Sequence, residues 1–207
     1  MTLEEMFSAA KATPSDIHEH LDVLRELSAK CEHVTEFGLR TGMSTIALLA
    51  GQPKTLISWD INPLSVVSQH VANLVMVAGK TSFQPRVGST LDVTIEPTDL
   101  LFIDTLHTYK QLRDELWRHA HPETSKVKRY LVFHDTSTFG FEGEDGTQPG
   151  LRGAIRWFQK NAFPLWRLAE DRQNNNGLVV LEHVCADGHG PTVKGRCSWC
   201  GRKEEEK

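Results

Sequence analysis

Residues 33–60 read HVTEFGLRTGMSTIALLAGQPKTLISWD, and their pattern decides the class of fold. His33 to Gly38 is a short strand-like run closed by glycine. Met43 to Ala50 is apolar and opens from the glycine-punctuated turn, which predicts a helix. Thr55 to Asp60 predicts a second strand. A strand, a helix and a strand in so short a span form a crossover unit, so the two strands run parallel.

The alternation continues on both sides. A helix is expected from Ser15 to Lys30, where Ile17, Leu21, Leu24 and Leu27 recur at helical spacing and Ser15 is placed to cap. Another is expected over Leu64 to Ala78. Strands are predicted at Ser82 to Val87, Asp99 to Asp104 and Arg129 to His134, with helices at Tyr109 to His119 and Leu151 to Lys160. Thr138 to Pro149, rich in glycine and acid, reads as a long loop. Closing strands near Leu165 to Glu170 and Gly177 to His183 flank the turn sequence QNNNG, a hairpin that makes one strand antiparallel. The expectation is an α/β, doubly wound, mostly parallel sheet with an antiparallel closing hairpin. It divides as an N-terminal helical segment (1–30), a sheet domain (31–183) and a short Cys/His-rich tail (184–207).

Composition narrows the partners. The 207 residues are 39% hydrophobic and 24% charged with a net charge of −4, which suits one globular domain and excludes a low-complexity chain. That balance offers no general attraction to nucleic acid or anionic lipid. No run approaches a membrane span, and Glu4 and Glu5 stand where a signal peptide would carry positive charge. A cytoplasmic protein is expected, and a homodimer stays open. Four cysteines do not make a disulfide scaffold at this length, and Cys31 is read as a small buried hydrophobe.

Glu36, Gly38 and Gly42 fall at the end of the first strand and the start of its crossover, where open parallel sheets bind ligands. The spacing E-x-G-x-x-x-G is not the dinucleotide fingerprint, and an acid before the turn disfavours a pyrophosphate while suiting a cationic amine. Asp60, about 20 residues further on, is placed to accept hydrogen bonds from ribose hydroxyls. D-I-N-P is also a good capping sequence, and both roles are compatible. The segments VTEFGLRTGMSTIALLAG and LISWDINP, followed by LFIDTLHTYKQLRDEL and YLVFHDT, resemble class I S-adenosylmethionine-dependent methyltransferases. The branch resembled has D-x-x-H after the fourth strand and H-D-T at the fifth, like small-molecule and sugar O-methyltransferases.

The resemblance implies a Rossmann-like seven-stranded sheet with the last strand inserted antiparallel, and S-adenosylmethionine as cofactor. It places Glu36, Gly38 and Gly42 at the methionine end, Asp60 at the ribose, and Gly88 and Ser89 near the adenine. Arg40 stands where the family often has glycine, and Ser89 where it often has an acid. Asp104, His107, His134 and Asp135 would gather at the ends of strands four and five as the catalytic cluster. Two mechanisms fit. A divalent metal (Mg²⁺, Mn²⁺ or Fe²⁺) on Asp104 and Asp135, with His134 or His107 as third ligand, would lower the pKa of an acceptor hydroxyl, or His107 or His134 would act as general base. The acceptor expected is a small polar molecule. The alternatives are a nucleic-acid or protein acceptor with the tail as docking module, and a non-catalytic interaction protein. In that tail Cys185, His189, Cys197 and Cys200 form a candidate structural zinc site, with His183 as substitute ligand.

Overall fold

A computed structural model of the chain describes residues 1–121, 125–162 and 166–184. The unit read from residues 33–60 is present as β1 (His33–Phe37), α3 (Met43–Ala50) and β2 (Thr55–Asp60), with β1 and β2 parallel. Before it come α1 (Leu3–Ala12), a 3₁₀ turn (His18–His20) and α2 (Leu21–Ser28). After it follow α4 (Pro63–Val66), α5 (Gln69–Val77), β3 (Ser82–Val87) and β4 (Thr98–Ile103). The remaining elements are α6 (Tyr109–His119), β5 (Val127–His134), α7 (Leu151–Asn161), β6 (Trp166–Arg172) and β7 (Leu178–His183).

The seven strands form one sheet in the order β3-β2-β1-β4-β5-β7-β6. The first five are parallel, and β7 pairs antiparallel with both β5 and β6. The expected hairpin thus inserts its second strand beside β5. Edge positions explain two oddities of sequence: Pro85 is tolerated because β3 is an edge, and the charged, bulged β6 protects the other edge. Buried residues of α1, α2, α3 and α5 cover one face of the sheet, and those of α6 and α7 cover the other. The central strand β4 contributes Leu100 and Phe102 to the first layer and Leu101 and Ile103 to the second, as alternation in a doubly covered strand requires.

Two expectations are corrected. The helix predicted over Ser15 to Lys30 starts at Leu21, because residues 16–20 are drawn to the far edge of the sheet. The Asp16 carbonyl accepts from His134 Nε2, and His20 Nε2 donates to the Asn174 and Asn175 carbonyls in the β6–β7 turn. The helix predicted over Leu64 to Ala78 is two helices, broken where Ser68 leaves helical geometry and caps α5 through Val71 N–H. A third element, α1, escaped the apolar pattern although Thr2 and Glu5 form a complete capping box. Cys31 is buried, donates to the Leu27 carbonyl, and has its thiol pushed up to about 12 by burial. Cys185, His189, Cys197 and Cys200 lie outside the described residues. His183 is buried edge-on against Trp166. No helix among the described residues is long and apolar enough to cross a membrane.

The sheet order reverses between β1 and β4, which opens a crevice at their carboxyl ends. Gly38 closes the base of that crevice at φ +90°, with Asp104 N–H donating to the Phe37 carbonyl beside it. A Cβ at Gly38 would stand 1.9 Å from the Asp104 carbonyl oxygen. Gly38→Ala is therefore expected to lower the free energy of unfolding by at least about 2 kcal/mol, read from urea denaturation. A variant as stable as the parent would contradict the close approach of β1 and β4.

Candidate active site

A cavity of about 420 Å³ lies over the carboxyl ends of the strands. Gly38, Asp60, Gly88, Ser89 and Asp104 line it, with Trp59, Ile61 and Leu106 as apolar walls. Asp60 is held in place by backbone: Oδ2 accepts Arg40 N–H at 2.7 Å and Oδ1 accepts Asn62 N–H at 2.7 Å. Asn62, not Asp60, is the residue that caps α4. Arg40 adopts φ +44° to make its contact, and its largely exposed guanidinium pairs with Asp16 at 2.6 Å. Arg40 is thus engaged at the rim.

Glu36 and Gly42 are not among the residues lining the cavity. Strand alternation sends Glu36 into the layer of α3, since Phe37 beside it belongs to the opposite core. There its carboxyl group is fully buried and accepts from Ser44 Oγ at 2.5 Å, Thr45 Oγ1 at 2.8 Å and Ser58 Oγ. Glu36 therefore ties β1 to β2 and to the first turn of α3. Gly42 caps α3 in the left-handed conformation, close to His70 and Leu74.

A second buried carboxylate, missed in the sequence, stands behind the other side of the cavity. Glu115 on α6 accepts from Thr90 Oγ1 at 2.5 Å, Thr105 Oγ1 at 2.9 Å and Gln111 Nε2 at 2.9 Å. Thr90, Thr105 and Gln111 all line the cavity. His119 donates from Nε2 to the Thr90 carbonyl at 2.7 Å and fixes the same loop. In sequence, Arg113, Asp114 and Arg118 read as a solvated helix face, and Glu115 does not stand out among them. The spacing of Gln111 and Glu115 by one turn is the only local signal.

Asp104, His107, His134 and Asp135 do converge, at the adjacent ends of β4 and β5. His107 Nε2 lies 3.2 Å from Asp104 Oδ1 and 2.9 Å from Asp135 Oδ2, while its Nδ1 faces Glu144 Oε2 at 3.1 Å. Phe139 stacks on the ring with centroids 4.8 Å apart. His134 is enclosed: Nε2 donates to the Asp16 carbonyl, and Nδ1 stands 3.4 Å from Asp104 and 3.5 Å from Asp135, too long for good hydrogen bonds. Burial alone would lower both imidazoles, but the two aspartates overcome it and raise each to about 10. Burial likewise opposes ionisation of Asp104 and Asp135, and the two histidines hold both below the usual carboxylate range. Asp135 takes φ +57°, a conformation Asp tolerates better than most residues, and its Oδ2 meets His107 Nε2 at 2.9 Å. Among the described residues, Asp104, His107 and Asp135 present ligand atoms within 4.8 Å of one another. The nitrogen in this group belongs to His107, one of the two histidines that the sequence offers as third ligand.

Burial raises Glu36 to about 7. An acid whose folded pKa is raised binds its proton more tightly when folded, so the stability it lends is complete below about 4.5 and is lost as pH rises through 7. Glu36→Gln should remove this slope. Relative to the parent it should gain about 1–3 kcal/mol between pH 5 and pH 8 in urea denaturation. Parallel pH profiles for parent and variant would contradict the assignment.

No protein-family model and no curated protein sequence matches the chain. Solved structures do. An O-methyltransferase from Bacillus cereus in complex with SAH (S-adenosylhomocysteine) superposes with TM-score 0.61 at 17% identity, over 87% of this chain and 90% of that one. The SAH-bound methyltransferase PaMTH1 of Podospora anserina gives 0.55 at 13% identity, over 87% of each chain. The N-methyltransferase NodS of Bradyrhizobium japonicum gives 0.56 at 16%, over 81% of this chain and 95% of that one. With its strand order, its antiparallel β7 and its crevice between β1 and β4, the chain has the Rossmann-like fold of the class I S-adenosylmethionine-dependent methyltransferases.

Proposed function

We propose that the chain is an S-adenosylmethionine-dependent methyltransferase acting on a hydroxyl of a small polar acceptor, such as a sugar or a hydroxylated metabolite. One observation carries the reading. Asp104 belongs both to the lining of the Asp60 cavity and to the Asp104–His107–Asp135 group, so the two sites share a wall. A bound donor and a bound acceptor would meet there.

The residues present fit the cofactor. The cavity has the volume of an ordinary small-molecule site and combines apolar walls with few polar groups. Each Asp60 oxygen keeps a lone pair beyond the backbone N–H it already accepts, free for a ribose hydroxyl. When bound, S-adenosylmethionine supplies a methyl group on sulfonium sulfur, open to in-line displacement. The protein's part is orientation, which a rigid Asp60 and the strand ends provide.

The acceptor side fits a divalent metal. Asp135 Oδ1 is buried with no hydrogen-bond partner, and Glu144 on Nδ1 would orient His107 with Nε2 toward the carboxylates. Asp104, His107 and Asp135 would hold the ion, which would lower the pKa of an acceptor hydroxyl. Two carboxylates with one imidazole suit Mn²⁺ or Fe²⁺ as well as Mg²⁺. A histidine general base is supported less. The Nε2 proton of His107 is shared by two carboxylates that hold it, and His134 is sealed from the cavity. His134 then serves as a buried counter-charge, and Phe139 positions His107 from above.

Calorimetric titration with S-adenosylhomocysteine should give one site in the micromolar range, weakened at least about tenfold by Asp60→Ala. In an acceptor screen, Asp135→Asn should cut turnover at least about 100-fold while changing that affinity less than about threefold. Chelator should abolish turnover, and Mn²⁺ or Mg²⁺ should restore it. Absence of any binding would overturn the reading, and full activity in chelator would overturn its metal part.

A further inference from the structure

The donor and acceptor pattern behind the cavity specifies more than a generic pocket. Glu115 is fully buried, and above the pKa of about 7 to which burial raises it, it carries only acceptor oxygens. Gln111 must therefore turn its amide N–H₂ toward it, and Nε2 donates to Glu115 Oε1 at 2.9 Å and to Thr90 Oγ1 at 3.1 Å. Thr90 cannot compete for the opposite orientation, because its own hydroxyl proton is given to Glu115. The two acceptors of Gln111 stand 2.5 Å apart on one side of Nε2, so its amide nitrogen is held against the protein. Its carbonyl oxygen is what remains for a ligand in the cavity that the residue lines.

The position of Gln111 selects which part of a ligand meets that oxygen. If the transferable methyl lies beside Asp104, at the end of β4, the other end of the cofactor reaches the loop after β3, three strands away in the sheet. Thr90 belongs to that loop, and Gln111 is hydrogen-bonded to it. The nucleobase therefore falls within reach of Gln111. Adenine and hypoxanthine differ at this edge: adenine carries a 6-amino donor, hypoxanthine a 6-oxo acceptor. A carbonyl oxygen that cannot rotate accepts from the first and repels the second.

We propose that Gln111 reads the 6-amino group of the adenine ring through its carbonyl oxygen, and that Glu115 is the positioning residue that locks the amide in that orientation. The assignment rests on the cofactor reading above.

The test compares S-adenosylhomocysteine with S-inosylhomocysteine by calorimetry at about pH 8.5, where Glu115 is ionised, using the full chain. The parent should bind the adenine compound at least about tenfold more tightly. Gln111→Ala should weaken the adenine compound about fivefold and leave the inosine compound within about twofold, so the preference collapses. Glu115→Gln offers an N–H₂ in place of a carboxylate oxygen and lets the Gln111 amide reverse. Its preference should fall at least about threefold, with the inosine compound binding more tightly than to the parent. A merely structural role would weaken both ligands alike and leave their ratio unchanged, and that result would overturn the proposal while the cofactor reading stands. Failure of the parent to bind either compound would overturn both. If Glu115→Gln proves unfolded by its thermal transition, the ratio measured with Gln111→Ala decides alone.

Discussion

Two carboxylates, Asp104 and Asp135, are pressed together at the ends of neighbouring strands with little water around them. Like charges in so enclosed a place repel strongly and must be matched. His107 stands between them and His134 beneath, and the packing around the cluster follows from keeping those rings in register. The Asp16 carbonyl pins His134, which keeps residues 16–20 out of the α-helix and straps the N-terminal segment across the end of β5. Glu144 and Phe139 pin His107, which folds the loop after β5 back over the cluster. The Asn174–Gly177 turn supports that loop from below, where the Asn176 carbonyl accepts from Ser137 and Thr138. One electrostatic demand thereby organises segments remote from each other in the chain.

The cavity obeys a related rule in a different form. Glu36 and Glu115 are both fully buried behind it, neither faces it, and each gathers hydroxyl and amide donors from separate elements. Burial raises both to about 7, so each is costly to keep ionised and is retained where its hydrogen bonds fix the walls. Asp60 differs: it faces the ligand space and is satisfied by backbone N–H groups. The arrangement separates residues that shape the site from those that meet its contents.

Much of this was legible in the sequence because it is local. Parallel strands announce themselves by continuous apolar runs, and α6 was bounded correctly because Thr108 caps it and its amphipathic period is clean. The cluster was legible because functional groups in this fold collect at strand ends. What was hidden depends on tertiary parity and contact. Nothing in DEL shows that Glu115 turns inward, since the loop after β3 that receives it is 25 residues away. The side of the sheet that Glu36 faces depends on where β1 begins, and one residue of phase moves it from the ligand to α3. In sequence His107 and His134 are equivalent candidates, because the Asp16 carbonyl that covers His134 belongs to a strap that reads as helix.

Asp104 is the wall that the Asp60 cavity and the Asp104–His107–Asp135 group have in common. A crystal structure with S-adenosylhomocysteine bound is the measurement that decides whether donor and acceptor meet there. The expected result is the ligand in the crevice between β1 and β4, its ribose hydroxyls on Asp60 and its sulfur facing Asp104 and Asp135. A ligand bound elsewhere, or bound there with the sulfur turned away from the aspartates, would contradict it.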